Sequence, residues 1–255
     1  ELCQGVKAVT VFERLDQPLA VDPPLLREIR SAMGQAVENG RTSGAVPHPG
    51  VPAIGPEAVP DFYSSCFGMG SRDVQAGDLQ AAIENMLPRG RRHRQFYVGI
   101  HFVRPETRLP KLELWQQRLE EAYPHLRDLA INATADLNLL PKDSLALRIH
   151  SVGGWGAITM GKNLALTASE LLGLHIKANP KYGSEKKGQP TTFFATLASE
   201  PVRLNAELRH VNVVLSPDPN VFRHSNPIGG LAPGGVFIIQ SDTDPKALWE
   251  SFPAT

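Results

Sequence analysis

The stretch RIHSVGGWGAITMGKNLAL, residues 148–166, holds four glycines and a lysine between an apolar run and an amphipathic segment. A glycine turn between a strand and a helix leaves backbone N–H groups free at the positive end of the helix dipole. The chemistry on offer there is anion binding. Two familiar anion loops come close and fail. Gly156 to Lys162 fits G-x-x-x-x-G-K, but Asn163 stands where a triphosphate loop needs Ser or Thr. Gly154-x-Gly156 opens a dinucleotide fingerprint, but Thr159 occupies the place of its third glycine. Helical periodicity (Ile158, Gly161/Lys162, Ala165, Ala168/Ser169, Leu172) begins at about Ala157, so AITM is read as a first helical turn. Gly153, Gly154 and Gly156 then form the turn. Lys162 falls in the second helical turn, and a side chain leaning toward the N-terminus can reach an anion there.

A second candidate is KYGSEKKG, residues 181–188, again directly after a predicted strand. Ligands of open parallel sheets bind outside the carboxyl ends of strands, and both loops are expected on that edge. Lys186 and Lys187 add positive charge, Tyr182 a flat face and Ser184 a hydroxyl, although such a loop is also an ordinary solvated face. SPDPN (216–220) is either a third wall or a proline-shaped turn. No G-x-S-x-G, H-E-x-x-H or Cys–His spacing announces a catalytic set. His101 and His150 lie on predicted strands and read as core or edge residues. RGRRHR (89–94) follows a predicted helix end, where cations complement the dipole, and reads as a solvated terminus rather than a contact for an acidic partner or a phosphate.

The elements that must position these loops form two α/β segments. In the first, VKAVTVFERL (6–15) starts as a buried strand, Asp22-Pro23-Pro24 offers an N-cap and first-turn proline, and a helix follows from Leu25. Residues 40–60, rich in proline and glycine, read as a long loop; a helix over 76–87 then leads to a strand at 95–102. Residues 104–143 read as a helical connector, with Leu112, Trp115, Leu119, Ala122 and Leu126 on one face for packing against another domain. The second segment has a strand at 145–152, a helix at 157–172, strands near 174–179, 191–198, 210–216 and 234–241, and a last helix at DPKALWESF. The fold class expected is α/β, two open, mostly parallel Rossmann-like sheets with flanking helices.

Bulk properties narrow the function. Lys+Arg and Asp+Glu both number 26 in 255 residues, which gives no footprint for nucleic acid or a membrane surface. No apolar run approaches a membrane span. Cys3 and Cys66 have no C-x-x-C spacing, which points to a reducing, cytoplasmic setting and away from an iron–sulfur or zinc site in this stretch. Both ends look cut, and an internal piece of a larger polypeptide is expected.

At this point the residues carry a resemblance. HSVGGWGAITMGKNLA, KYGSEKKGQPTTFFATLASEPVR, HVNVVLSPDPNVF and NPIGGLAPGGVFIIQSD, in that order, resemble the gamma domain of 2-oxoacid:ferredoxin oxidoreductases, of which the pyruvate enzyme is best known. VKAVTVFERLDQP and FGMGSRDVQAGDLQAAIENM resemble the end of that family's alpha region, with Glu13 in place of the family's Asp. The resemblance implies three parts: 1–103, the C-terminal part of a transketolase-C-terminal-like alpha-region domain (domain II); 104–143, the connector, which resembles nothing in the family; and 144–255, the gamma domain (domain III), truncated at its end. It implies oxidative decarboxylation of a 2-oxoacid, pyruvate first by domain order and 2-oxoglutarate as the alternative, to acyl-CoA. Thiamine diphosphate, magnesium and [4Fe-4S] clusters belong to the complete enzyme and not to this chain, which alone is expected to be inactive. Implied partners are the remaining domains or subunits, ferredoxin or flavodoxin, and an oligomeric assembly. Carried onto matching positions, it implies coenzyme A near Gly153, Gly154, Trp155, Gly156 and Lys162, with Tyr182, Ser184, Lys186 and Lys187 as a second set of contacts. An independent Rossmann-type or P-loop-like nucleotide-binding protein is the competing reading.

Overall fold

The structure is a computed structural model, described for residues 3, 5–102, 110–133, 135–182 and 188–252. The chain divides into two compact units, Glu1–Leu137 and Asn138–Thr255. No helix among the described residues is long and apolar enough to cross a membrane.

The first unit alternates strand and helix: β1 (Ala8–Glu13), α1 (Pro24–Arg41), β2 (Asp61–Cys66), α2 (Ala76–Met86), β3 (Gln95–Val98), α3 (Pro110–Ala122) and β4 (Ala130–Ile131). Each strand pairs parallel with the next, in the order β1-β2-β3-β4, as strand–helix–strand connections demand. α3 and β4 come from the stretch read as a connector, and both fall within the first unit. The expected apolar stripe of α3 stays uncovered by this chain at Trp115 and Ala122, while Gln116 is its buried residue.

Sequence reading missed β2. Its residues DFYSSC include two serines, which mask an otherwise buried run: Phe62, Tyr63, Ser64, Ser65 and Cys66 are all buried. Tyr63 is the centre of one core with Phe96, Val98 and Ala82, and Val11, Leu26 and Phe62 make the core on the other face. The expected cap of α1 is also replaced. Pro23 is its N-cap residue, Asp22 pairs instead with Arg30 at 2.9 Å, and the Glu13 carboxylate arrives from the end of β1 to accept the N–H groups of Leu25 (2.7 Å) and Leu26 (3.2 Å).

The second unit contains β5 (Leu145–Val152), α4 (Ala157–Leu172), β6 (His175–Tyr182), β7 (Pro190–Ala198), β8 (Val211–Ser216), β9 (Leu231–Ile239) and α5 (Pro245–Glu250). The sheet order is β6-β7-β5-β8-β9. β8 pairs parallel with β5 and with β9, whereas β7 runs antiparallel to both β5 and β6, so the sheet is mixed with one inverted strand. The reason is length: the segment between β6 and β7 is too short for a crossover and permits only a hairpin. α4 covers one face, over Leu147, Ile149 and Phe193; Ala146, Phe194, Val214 and Leu208 form the core on the other.

Candidate functional site

The glycine turn joins the carboxyl end of the central strand β5 to α4. Two of its glycines take left-handed backbone, Gly154 at φ 98° and Gly156 at φ 82°, a region closed to most side-chain-bearing residues. The Trp155 N–H donates to Val152 O at 3.2 Å and folds the chain back on itself. Gly156 is the N-cap residue of α4, and the Met160 N–H donates to Gly156 O (2.9 Å) as an early helical bond. The helix therefore starts at Ala157. A triphosphate loop would instead wrap residues 157–160 around its ligand.

Among the described residues no side chain caps this end. The N–H groups of the first turn have no intrahelical acceptors and point past the sheet edge with the positive end of the dipole. The contrast with α1 is direct. There the equivalent position at the end of β1 is already filled by a carboxylate of the chain itself, Glu13. Anion-binding geometry is thus left open at one of these two helix starts.

The hairpin between β6 and β7 is tied to the same turn. The Gly153 N–H donates to Gln189 O at 2.8 Å, and the Gly188 N–H donates to Gly153 O at 3.1 Å. Val152 is paired with Pro190 and Tyr182 with Thr191, so the turn and the hairpin loop leave the sheet on one edge. Tyr182 ends β6. Ser184, Lys186 and Lys187 lie outside the described residues.

Lys162 is exposed on α4, one residue beyond Gly161. Gly161 has a different task from the one its motif position suggests. A Cβ built on it would stand 2.4 Å from Cδ1 of Phe193, which is 1% exposed on β7. The helix lies so close to the sheet that only small residues, Ala157, Gly161, Ala165 and Ala168, fit between them. The predicted stripe is corrected accordingly: Ser169 and Leu172 are exposed, as are Met160, Leu164 and Leu171.

Beside the turn is a cavity of about 610 Å³ lined by Trp155, Pro217, Pro219, Gln240, Ser241 and Asp242. The SPDPN segment therefore forms a wall. It is held by buried Asp218, whose carboxylate accepts the Asn220 N–H (2.8 Å) and pairs with Nε2 of His224 (2.8 Å). Asp218 also exchanges hydrogen bonds with Ser216 Oγ, its N–H donating at 3.3 Å and its carbonyl accepting at 3.0 Å. Sequence reading did not find this knot, since only the folded 3-10 turn at Val221–Arg223 brings His224 back to Asp218.

Two β5 side chains lie buried on the face away from α4. The Arg148 guanidinium donates to three carbonyls, Leu208 (3.3 Å), Pro227 (2.8 Å) and Gly229 (2.5 Å), and pins the loops covering that face. His150 is buried, as its strand position implied, and its Nε2 has no partner. Burial, with the charge of Arg148 and proximity to His224 adding to it, pushes its pKa down to about 4. It is a neutral core imidazole. His101, by contrast, is exposed.

Comparison with known proteins centres on this second unit. Residues 146–253 match the family described as pyruvate ferredoxin/flavodoxin oxidoreductase. The gamma subunit common to the pyruvate and ketoisovalerate oxidoreductases of Thermococcus litoralis is 29% identical over 106 residues, covering 42% of this chain and 57% of its own. The pyruvate synthase subunit PorC of Methanosarcina barkeri is 28% identical over 102 residues, covering 40% of this chain and 56% of its own. The chain thus spans a little over half the length of the curated relatives it matches. A crystal structure of the Thermotoga maritima pyruvate oxidoreductase subunit PORC aligns with 44% of this chain and 57% of its own, at 22% identity and a TM-score of 0.37.

Proposed function

Since residues 146–253 match the pyruvate ferredoxin/flavodoxin oxidoreductase family, we propose that this chain is the part of a 2-oxoacid oxidoreductase that seats coenzyme A. The complete enzyme decarboxylates a 2-oxoacid, pyruvate by preference, with thiamine diphosphate, magnesium and [4Fe-4S] clusters held by other domains or subunits. Electrons leave to ferredoxin or flavodoxin in the cytoplasm. Alone, the chain has no turnover. Residues 1–103 and 144–255 act as the end of the alpha-region domain and as the gamma domain, within an oligomeric assembly.

One observation carries the reading: the uncapped N-terminus of α4, reached through a turn that only glycine can make, at the carboxyl edge of β5. The residues fit coenzyme A in kind. It is a polyanion with a flat base, and the turn offers free N–H groups, Lys162 in the second helical turn and the exposed Trp155 ring on the cavity wall. Bound there, coenzyme A supplies the thiol that accepts the acyl group. The protein's share is positional. Gly154 and Gly156 keep the backbone open to a phosphate, Lys162 adds charge, and the hydrogen bonds of Gly153 with Gln189 and Gly188 tie the turn to the residues that lead into β7. Asp242 also lines the cavity and disfavours phosphate beside it. Phosphate therefore belongs on the glycine side and the base toward Trp155 and the prolines.

The test is calorimetric titration of coenzyme A, ATP and NAD into the chain and into its Lys162→Gln variant. Coenzyme A should bind with preference over the other two. Loss of the lysine should weaken it about five- to tenfold, the worth of one charge near a helix end. Equal affinity of the variant, or tighter binding of ATP or NAD, would contradict the proposal.

A further inference from the structure

The RGRRHR stretch, read from sequence as a solvated helix end, separates in the structure into two pairs of arginines with different surroundings. Arg92 and Arg94 are structural. Each places Nη2 at 2.8 Å from a different oxygen of Asp61, Arg92 Nε donates to the Tyr63 hydroxyl at 3.3 Å, and Arg94 stacks over the Tyr63 ring at 4.6 Å. Together they close the polar end of the core around β2. Arg89 and Arg91 do none of this. Both are exposed, and among the described residues neither makes an ion pair.

Capping of α2 does not explain them either. The backbone already closes the end of that helix. The Leu87 N–H donates to Glu84 O (3.2 Å), the Arg92 N–H to Asn85 O (2.9 Å), and the Gly90 N–H to Leu87 O (2.8 Å). Gly90 is required for the wrap, because a Cβ there would meet Glu84 O at 2.0 Å. Buried Asn85 fixes the far side of the turn, donating to His93 O and accepting the His93 N–H, both at 3.0 Å. A rigid turn thus holds two arginine side chains that the fold does not use.

Both line a cavity of about 610 Å³ together with Arg127, Glu84, Asn85 and Asn132. Arg127 comes from a separate segment, the 3-10 turn before β4, and its Nε is oriented by Glu120. The floor is apolar, from Ala81 and Ile131 among others. At about 610 Å³ the cavity is large enough for a nucleotide. Arg89 and Arg91, without ion pairs among the described residues, and Arg127, already paired with Glu120, stand against the one lining carboxylate of Glu84; this favours an anion, and guanidinium forks match phosphate oxygens in pairs.

The geometry points to a second ligand site, on the first unit, for a small phosphorylated molecule of nucleoside-diphosphate kind. Its phosphates sit against Arg89, Arg91 and Arg127, and its body lies over the apolar floor of Ala81 and Ile131. This site is separate from the glycine turn and does not rest on the coenzyme A reading.

Titration of inorganic pyrophosphate and of ADP into the full chain tests it, with citrate as a polyanion lacking phosphate. Pyrophosphate and ADP should bind, and citrate at least about tenfold more weakly. Arg89→Gln with Arg91→Gln should weaken both phosphate ligands by about tenfold or more, the loss of one to two charge-assisted contacts. Thermal unfolding should be unchanged, because both side chains are exposed. Arg41→Gln, which changes charge elsewhere, should alter neither affinity. Absence of binding at millimolar concentration, citrate binding as well as pyrophosphate, or affinities indifferent to the arginine pair would each overturn the assignment.

Discussion

Replacing Gly161 by Ala separates two explanations of the same sequence motif. As the second glycine of G-x-x-x-x-G-K it would serve a phosphate; as found, it serves the contact of α4 with β7. The new methyl would stand 2.4 Å from Cδ1, 2.5 Å from Cε1 and 2.8 Å from Cγ of Phe193, roughly an ångström inside ordinary carbon–carbon contact. Phe193 has little room to yield, being 1% exposed and paired across the sheet with Ile149, itself 1% exposed. Overpacking of this kind costs about 1–3 kcal/mol. Against it stands the helix propensity of Ala over Gly, worth about 1 kcal/mol. The net expectation is destabilisation of about 1–2 kcal/mol. Gly34 in α1 is the matched control. It too is helical, but nothing lies within 4 Å of a Cβ built there, so Gly34→Ala should stabilise by up to about 1 kcal/mol. Urea unfolding of both variants, with Phe193→Leu alone and combined with Gly161→Ala, reads the signs and the coupling. Relief of the methyl by the smaller Leu should appear as a coupling of about 1 kcal/mol. If Gly161→Ala stabilises as Gly34→Ala does, the close approach is not why glycine is there, and a phosphate role returns.

Three further outcomes follow from the second unit. Gly156→Ala should destabilise by about 1–2 kcal/mol, because φ 82° is a left-handed conformation, and should lower coenzyme A affinity in the same titration used for Lys162→Gln. His150, with its pKa down at about 4 against an ordinary 6.5, binds its proton less readily folded than unfolded. Its contribution is therefore nil above pH 6.5, and stability falls as pH drops from about 6.5 toward 4, with a slope of up to about 1.4 kcal/mol per pH unit. His150→Gln should flatten that part of a pH series of urea midpoints; an unchanged slope would show that the imidazole is not the group responsible. Arg148→Met should cost about 2–4 kcal/mol, since it leaves the carbonyls of buried Leu208 and Pro227 without their donor and that of exposed Gly229 to water. Retention of wild-type thermal stability would show those loops to be held by other contacts.

The legibility of the fold tracked how plainly each element's burial is written in apolar residues. β5 and α4 were readable to the residue because one is a short strand run, apolar at Leu145, Leu147, Ile149 and Val152, that ends at the glycine turn, and the other begins at a glycine it cannot do without. β2 was not readable, because half its buried strand is serine and cysteine in an α/β core that accepts small polar residues between Tyr63 and Phe96. The inversion of β7 was legible only in retrospect, from the few residues that separate it from β6. In α4 the period was right and the face partly wrong. Periodicity locates a stripe, whereas the distance between helix and sheet, set by Gly161 against Phe193, decides which members of it are small enough to be covered. The Asp218–His224 pair and the cavity around Arg89, Arg91 and Arg127 were out of reach for a related reason: each joins residues that only the tertiary fold brings together.

The two helix starts also explain why one strand-to-helix junction is a candidate site and the other is not. Both units send a strand into a helix whose first N–H groups need an acceptor. In the first, Glu13 ends β1 and its two oxygens take the N–H groups of Leu25 and Leu26, which is the bonding a phosphate would have received. In the second, the corresponding stretch of chain is glycine, with no side chain to fold back. Glu13→Gln should therefore destabilise the first unit by about 1 kcal/mol, through loss of a charged cap at a helix N-terminus. The same variant should leave coenzyme A affinity unchanged. A fall in that affinity would mean that the two helix starts do not act independently.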